Sequence, residues 1–271
     1  MPYFKYNLQD NAERRTIMLN ETIQKEFQRK EIKYLIEADT FEQLQKEFKD
    51  YLTPDRFTHS SITNIYFDNP DFQLIKDSIN HRHASEKIRM RTYDPKPTQK
   101  SQAFLEIKKK EYQGEQEIGY KYRLTSTLLS LCNYVQQGII DNNIKQDDRA
   151  NHELAILRER YKKLVPKMFI HYERFSLRGI ENPKLRVTFD RNVIYRHENV
   201  NLTSGFNGYP LLKNNQIVME VKVKNGLPAW MEKIFHKHQL IPQSFSKYTT
   251  AYLKAYGLTP EDIREEPTSI A

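Results

Sequence analysis

The sequence has one cysteine, Cys132, in 271 residues. That excludes an intramolecular disulfide and any multi-cysteine zinc site, and it fits a reducing compartment. Cys132 follows Leu128-Leu129-Ser130-Leu131, a setting for a packed helix residue rather than a nucleophile. No stretch approaches the roughly 18 apolar residues that cross a bilayer, and the opening Met-Pro-Tyr-Phe-Lys-Tyr-Asn lacks the apolar core of a signal peptide. A soluble cytoplasmic protein is therefore expected. The Gly-x-x-x-x-Gly-Lys loop and the Gly-x-Ser-x-Gly elbow are missing too, which argues against P-loop and serine-hydrolase chemistry. His171, His236 and His238 match no metal-ligand spacing, and internal repeats and low-complexity blocks are absent.

What the chain does have is aromatic mass and positive charge. Seventeen Tyr and 14 Phe give it material for a core despite a mean hydropathy of -0.80. Lys and Arg number 43 against 35 Asp and Glu, a net charge of +8. A polyanionic partner is indicated: nucleic acid, phosphate ester or anionic membrane. Nucleic acid fits least well, because the basic residues sit at strand spacing beside carboxylates and lack the glycine-aromatic motifs of an RNA-binding sheet.

The arrangement of that charge is the informative part. In an extended chain alternate side chains share a face, so within Ser85 to Tyr93 the cations Lys87, Arg89 and Arg91 lie opposite Ile88 and Met90. A single such strand reads as a solvated basic face over an apolar core. The same alternation recurs, however. Glu31 and Lys33 oppose Ile32 and Tyr34; Glu106, Lys108 and Lys110 oppose Leu105 and Ile107. Tyr172, Arg174 and Ser176 oppose Phe175 and Leu177; Arg186, Thr188 and Asp190 oppose Val187 and Phe189; Glu220, Lys222 and Lys224 oppose Met219, Val221 and Val223. Further strands are predicted over 61–68 and 117–123. Helices are predicted over 20–27, 40–51, 71–80, 125–137, 151–164, 229–238 and 244–256, with a long loop or weak hairpin over 195–215.

Solvent exposure alone does not require one sign bias on so many strands. A closed barrel offers another arrangement, since helices can cover its apolar exterior while its polar faces enclose a water-filled lumen. The expectation is thus an α+β fold, an eight-stranded antiparallel β-barrel or tunnel with a polar cationic lumen and helices packed on the outside. Crowded cations in such a lumen repel each other and lose hydration, and a ligand with several phosphates relieves both costs. Carboxylates among them would pair with cations or hold Mg2+ or Mn2+ against phosphate oxygens.

In order along the chain, Arg29-x-Glu31-x-Lys33-Tyr34, Tyr66-Phe67-Asp68, Lys87-x-Arg89-x-Arg91, Leu105-Glu106-Ile107-Lys108, Tyr172-x-Arg174, Arg186-Val-Thr-Phe-Asp190, Met219-Glu220-Val-Lys222 and Ser246-Lys247-Tyr248 resemble the VTC domain. This is the polyphosphate polymerase domain of the triphosphate tunnel metalloenzyme superfamily. The resemblance spans about residues 28–257, preceded by an arm over 1–27 and followed by a tail over 258–271. It implies transfer of the γ-phosphate of ATP onto a polyphosphate chain. On the same resemblance Lys33, Arg89, Arg91, Lys108, Arg174 and Arg186 would act on the phosphates in catalysis, together with Glu220. Glu31, Lys87, Tyr172, Lys222, Ser246 and Lys247 would assist in substrate binding, with Glu220 and Glu106 as metal ligands. Arg29 at the position where the wider superfamily carries Glu favours the polymerase branch over adenylate cyclases and thiamine triphosphatases. Ser244 departs from the family, which would place a further basic residue there. The alternatives are a tripolyphosphatase or nucleoside triphosphatase using the same tunnel, and a non-catalytic module that binds polyphosphate or inositol phosphates. By analogy with eukaryotic relatives, a separate membrane-protein partner is also implied.

Overall fold

A single antiparallel sheet organises the chain. The computed structural model describes residues 30–80, 85–113, 116–141, 144, 147–224 and 226–264. The expected helix over 20–27 and the expected lumen residue Arg29 lie outside them. The strands are β1 (Lys30–Glu37), β2 (Leu52–Asp68), β3 (Ser85–Thr92), β4 (Gln102–Gln113), β5 (Gln116–Thr127), β6 (Val165–Gly179), β7 (Arg186–Arg196), β8 (Tyr209–Pro210) and β9 (Gln216–Val223). The helices are α1 (Ala38–Glu47), α2 (Gln73–Asn80), α3 (Leu128–Gln137), α4 (Asp148–Tyr161), α5 (Ala229–Lys237) and α6 (Lys247–Tyr256). The spatial order is β1-β9-β7-β6-β2-β3-β4-β5, with β8 appended to β7.

The two ends of that order, β1 and β5, do not pair. The sheet is curled but not hydrogen-bonded into a closed barrel, which corrects the expected architecture. Alternation along eight long strands specifies two faces; it does not specify whether the last strand meets the first.

The apolar faces are covered as the alternation requires. Ile88, Met90, Leu105, Ile107 and Leu124 pack under α3 and α4 through Leu131, Tyr134, Leu154 and Leu157. Tyr34, Ile36, Val187, Phe189, Met219 and Val221 pack under α1 and α5 through Phe41, Leu44, Met231 and Phe235. Each helix shows its local cause. Thr127 caps α3 by accepting from the Ser130 N–H, and Gly138, at φ 77°, ends it in a left-handed turn. Asp147 caps α4 in the same way.

The third cluster departs from the expectation that all helices sit outside. Tyr248, Ala251 and Tyr252 of α6 pack with Ile62 and Tyr66 of β2, and with Met168, Ile170 and Tyr172 of β6. These strand residues share the face that also carries Asn64 and Arg174, so α6 covers an apolar end of the inner face. Ser246 caps α6 by accepting from the Thr249 N–H.

Strand limits differ from expectation mainly in β2, which begins at Leu52 and not near Ser61. Pro54 lies inside it, opposite Leu177, where the β2–β6 register breaks until His59. Such an irregularity is where a strand tolerates proline. Strand β6 likewise starts early, at Val165, seven residues ahead of Tyr172.

Candidate functional site

The inner face carries its charge in cross-strand pairs. In the ladders Glu31 stands opposite Lys222 and Lys33 opposite Glu220. Arg89 stands opposite Glu106, and Arg174 opposite Asp190. Opposite charges facing each other across a ladder are favourable. One row breaks the rule: Lys87 on β3 faces Lys108 on β4, which faces Lys121 on β5. Three ammonium groups in adjacent positions repel.

Glu106 is fully buried and receives contacts on both carboxylate oxygens. Arg89 reaches Oε2 through Nε at 2.7 Å and Nη2 at 2.6 Å; Lys121 and Arg123 reach Oε1 at 2.7 and 2.5 Å. Burial alone would raise its pKa, but Arg89, Arg91 and Lys121 outweigh burial and hold it far below the carboxylate range. Glu106, expected as a metal ligand, here has its lone pairs taken up by cations. Arg89 is correspondingly held charged, the Glu106 attraction exceeding its desolvation.

A second compensated cluster forms around Asp190. Arg174 binds it through Nε at 2.6 Å and Nη2 at 2.7 Å, and Lys247 donates to Oδ2 at 2.5 Å. Burial opposes ionisation of Asp190, yet Lys247 and Arg174 keep its pKa lowered. Burial likewise opposes a charged Lys247, whose pKa is nonetheless raised by Asp190 and Glu220. Glu220 is bound more loosely: Arg174 lies at 3.6 Å, Lys247 at 3.7 Å and Lys222 at 4.0 Å. Its pKa is still well below the usual carboxylate range, since Lys247, Arg174 and Lys222 overcome burial. Thr188, opposite Glu220 in the β7–β9 ladder, has a buried hydroxyl with no hydrogen-bond partner among the described residues. Glu31 completes this side, 3.2 Å from Lys33 and 3.6 Å from Lys222.

Among the cations between these clusters, Arg91, Lys87 and Lys108 lack carboxylate partners at contact distance among the described residues, whereas Lys121 keeps Glu106. Arg91 donates to Asn64 Oδ1 at 2.9 Å and to the Tyr172 hydroxyl at 3.0 Å. Burial would raise the Tyr172 pKa, but Arg91 and Arg174 lower it. Lys87 donates to the Ser246 hydroxyl at 2.9 Å. Burial, reinforced by Lys33, Lys110 and Arg89, brings the Lys87 pKa down to about 8. Lys108 is pushed well below the ordinary lysine value, first by Arg89, then by burial and Lys222. Lys121 also falls to about 8, chiefly through burial.

One rim of the site is tied together by the residues before α6. The Gln243 N–H donates to the Lys33 carbonyl at 2.8 Å, Lys33 Nζ donates to the Phe245 carbonyl at 2.9 Å, and Lys87 meets Ser246. Tyr248 stacks on Tyr66 and donates to Asp68 at 2.9 Å.

Most of the residues expected from the motifs therefore converge: Glu31, Lys33, Lys87, Arg89, Arg91, Glu106, Lys108, Tyr172, Arg174, Glu220, Lys222, Ser246 and Lys247. Arg186 does not join them; its side chain is 50% exposed and pairs with Asp55 at 3.0 Å. Lys121 and Arg123 were missed because Gln116 to Thr127 alternates weakly; Gly119 interrupts the run and Tyr120 and Tyr122 fill the outer positions. Their spacing of two, in register with Glu106 and Lys108, was the available signal. Asn64 was missed because the stretch around it carries no charge and gives no sign bias to follow.

A curled antiparallel sheet with a largely buried, cation-rich inner face defines the class of fold. The sequence matches the VTC domain over residues 28–256, and the chain belongs to that family. Three solved structures show a distant likeness to the chain. A Vibrio parahaemolyticus protein provisionally assigned as an adenylate cyclase is 10% identical, with 82% of this chain and 96% of that chain covered, at TM-score 0.40. The PH1819 protein of Pyrococcus horikoshii is 11% identical, with 84% and 99% covered, at TM-score 0.41. A chain of the Schizosaccharomyces pombe Mediator head module is 10% identical, with 84% and 95% covered, at TM-score 0.39. No curated protein matches the chain. The family assignment rests on the VTC match. Among the described residues, no helix is long and apolar enough to cross a membrane.

Proposed function

We propose that the enclosed face binds a linear triphosphate and that the protein is a metal-dependent phosphotransferase extending polyphosphate from ATP. The observation that carries this reading is the lysine row Lys87, Lys108 and Lys121. Folding sets these ammonium groups side by side in the ladders, and burial together with Arg89 makes the charged form of each costlier than in water, a cost that a chain of phosphates relieves. Membership of the VTC family supports the same substrate class.

In this reading Lys87, Lys108, Arg89 and Arg91 grip phosphate oxygens. Asn64 and Tyr172 hold the Arg91 guanidinium in plane, and Glu106 holds Arg89. Lys247 and Arg174, fixed by Asp190, present positive charge beside Glu220. The donor set fits a divalent ion at Glu220, with Glu31 and the orphaned Thr188 hydroxyl near it. Among the described residues no three acidic, histidine or cysteine side chains form a metal cage by themselves, so phosphate oxygens would complete the shell, as magnesium sites commonly arrange. When bound, such an ion supplies charge neutralisation for the transferring phosphoryl group.

Phosphoryl transfer needs positioning and electrostatic support rather than a covalent nucleophile. The row of cations would align a chain-terminal phosphate with the γ-phosphorus. Its oxygen forms the new P–O bond as the bond to the β-phosphate oxygen breaks, leaving ADP. Incubation with ATP and Mn2+, followed by gel separation, tests the proposal. Long phosphate chains are expected; free phosphate would instead mark a hydrolase, and neither product a binding module.

A further inference from the structure

The sheet places a second row of like charges at the edge of the site, running outward from Lys222. Arg178 on β6 faces Arg186 on β7, which faces Lys222 on β9. The row continues the inner face outward. Arg178 lies four residues beyond Arg174 and Arg186 four before Asp190 with unbroken register between them, about 13 Å along the strands. Lys222 is engaged by Glu31 and Arg186 by Asp55. Arg178 has no ion-pair partner among the described residues.

A third arginine reaches the same place from another strand. Between Pro54 and His59, β2 leaves its register with β6, and this departure brings Arg56 to the edge of the row. Pro54, Asp55, Arg56, Arg178, Pro183 and Arg186 line a groove of about 480 Å³. Arg56 also lacks an ion-pair partner among the described residues, its guanidinium lying 5.4 Å from the exposed Phe57 ring. Three guanidinium groups against a single carboxylate, with prolines on either side, make a cradle for anionic oxygens in series.

We propose that this groove is an outer subsite for a linear phosphate chain, holding the part of the polymer that extends beyond the enclosed site. The inference deepens the polyphosphate reading and rests on it for the identity of the ligand. It also gives Arg186, drawn away from the inner cluster, a role at the mouth.

Titration calorimetry with tripolyphosphate and with long-chain polyphosphate tests it, using the wild type and the double variant Arg56→Ala, Arg178→Ala. Long-chain affinity is expected to fall about tenfold or more, while tripolyphosphate affinity stays unchanged. The slope of log affinity against log salt for the long chain should fall by about two. A variant with lysine at both positions should retain most of the long-chain affinity. Unchanged long-chain binding, equal weakening of both ligands, or equal loss in the lysine and alanine variants would each overturn the subsite. A wild type that binds long chains but not tripolyphosphate sinks the enclosed-site reading instead, and the loss in the alanine variant still decides the outer one.

Discussion

Arg89 and Glu106 stand directly opposite each other on β3 and β4, the guanidinium meeting one carboxylate oxygen through both Nε and Nη2. With Lys121 and Arg123 on the other oxygen, Glu106 serves as the internal counterion of the basic wall. Glu106→Gln leaves three cations facing a neutral amide. A loss of about 3–5 kcal/mol in stability is expected, since removing one partner strands buried charge. Chemical denaturation measures it, and a loss under about 1 kcal/mol would show that the carboxylate is not the keystone of this wall.

Glu220 should behave in the opposite way. Its ion pairs are long, from 3.6 to 4.0 Å, so Glu220→Gln should cost less folding energy than Glu106→Gln, although its lowered pKa means that some stability is lost with the charge. Turnover is expected to drop about 100-fold or more, with a higher Mn2+ concentration needed for half-maximal rate. Rates and melting temperature measured side by side separate this from a folding defect. An unchanged metal requirement would move the ion elsewhere.

Lys108 carries a trade between stability and binding. It has no contacting counterion among the described residues and is repelled by Arg89. Lys108→Met should raise the melting temperature of the free protein while weakening tripolyphosphate binding about tenfold. If the melting temperature falls instead, the lysine row is not a source of strain.

The pH dependence follows from Lys87 and Lys121, both lowered to about 8. Bound phosphate favours their charged forms, so binding near pH 8 should take up protons, and affinity should decline as pH rises beyond that value. Unfolded lysines stay protonated up to about 10.4, so between about pH 8 and 10 the unfolded chain binds more protons. The free protein therefore gains stability from these two groups across that window. Calorimetry in buffers of different ionisation enthalpy reads the uptake directly; identical heats in both would contradict it.

Tyr248 joins α6 to the sheet by donating to Asp68, which also accepts the N–H groups of Leu74 and Ile75 at the start of α2. Burial raises the Asp68 pKa to about 6 despite these donors. Tyr248→Phe should cost about 1.5–3 kcal/mol, the usual worth of a hydrogen bond to a charged group. Thermal unfolding at pH 7 measures it. The difference should shrink at pH 5, where a protonated Asp68 no longer needs the donor so strongly.

The alternation that made Lys87, Arg89, Arg91, Arg174 and Glu220 recognisable is a property of single strands, and each of these was placed on the inner face from neighbours two positions away. Three-dimensional pairings were less legible. Nothing local distinguishes Glu106, clasped on both oxygens, from Glu220, held at a distance; the difference lies in Lys121 and Arg123 arriving from β5. Arg186 has the same alternation as Asp190, yet four residues of strand carry it out to Asp55. The inward position of α6 was hidden for a related reason. Its amphipathic pattern reports that one side is covered, not which surface of the sheet covers it.

In a sealed barrel, strand number and stagger fix the bore. Here β1 and β5 are free of each other, so calibre depends on side-chain and backbone ties between distant strands. The Lys33 to Phe245 and Lys87 to Ser246 bonds are two such ties, and both pass through the short segment ahead of α6. That segment acts as a buckle between distant strands: loosening it would let them spread without breaking a single rung of the ladders.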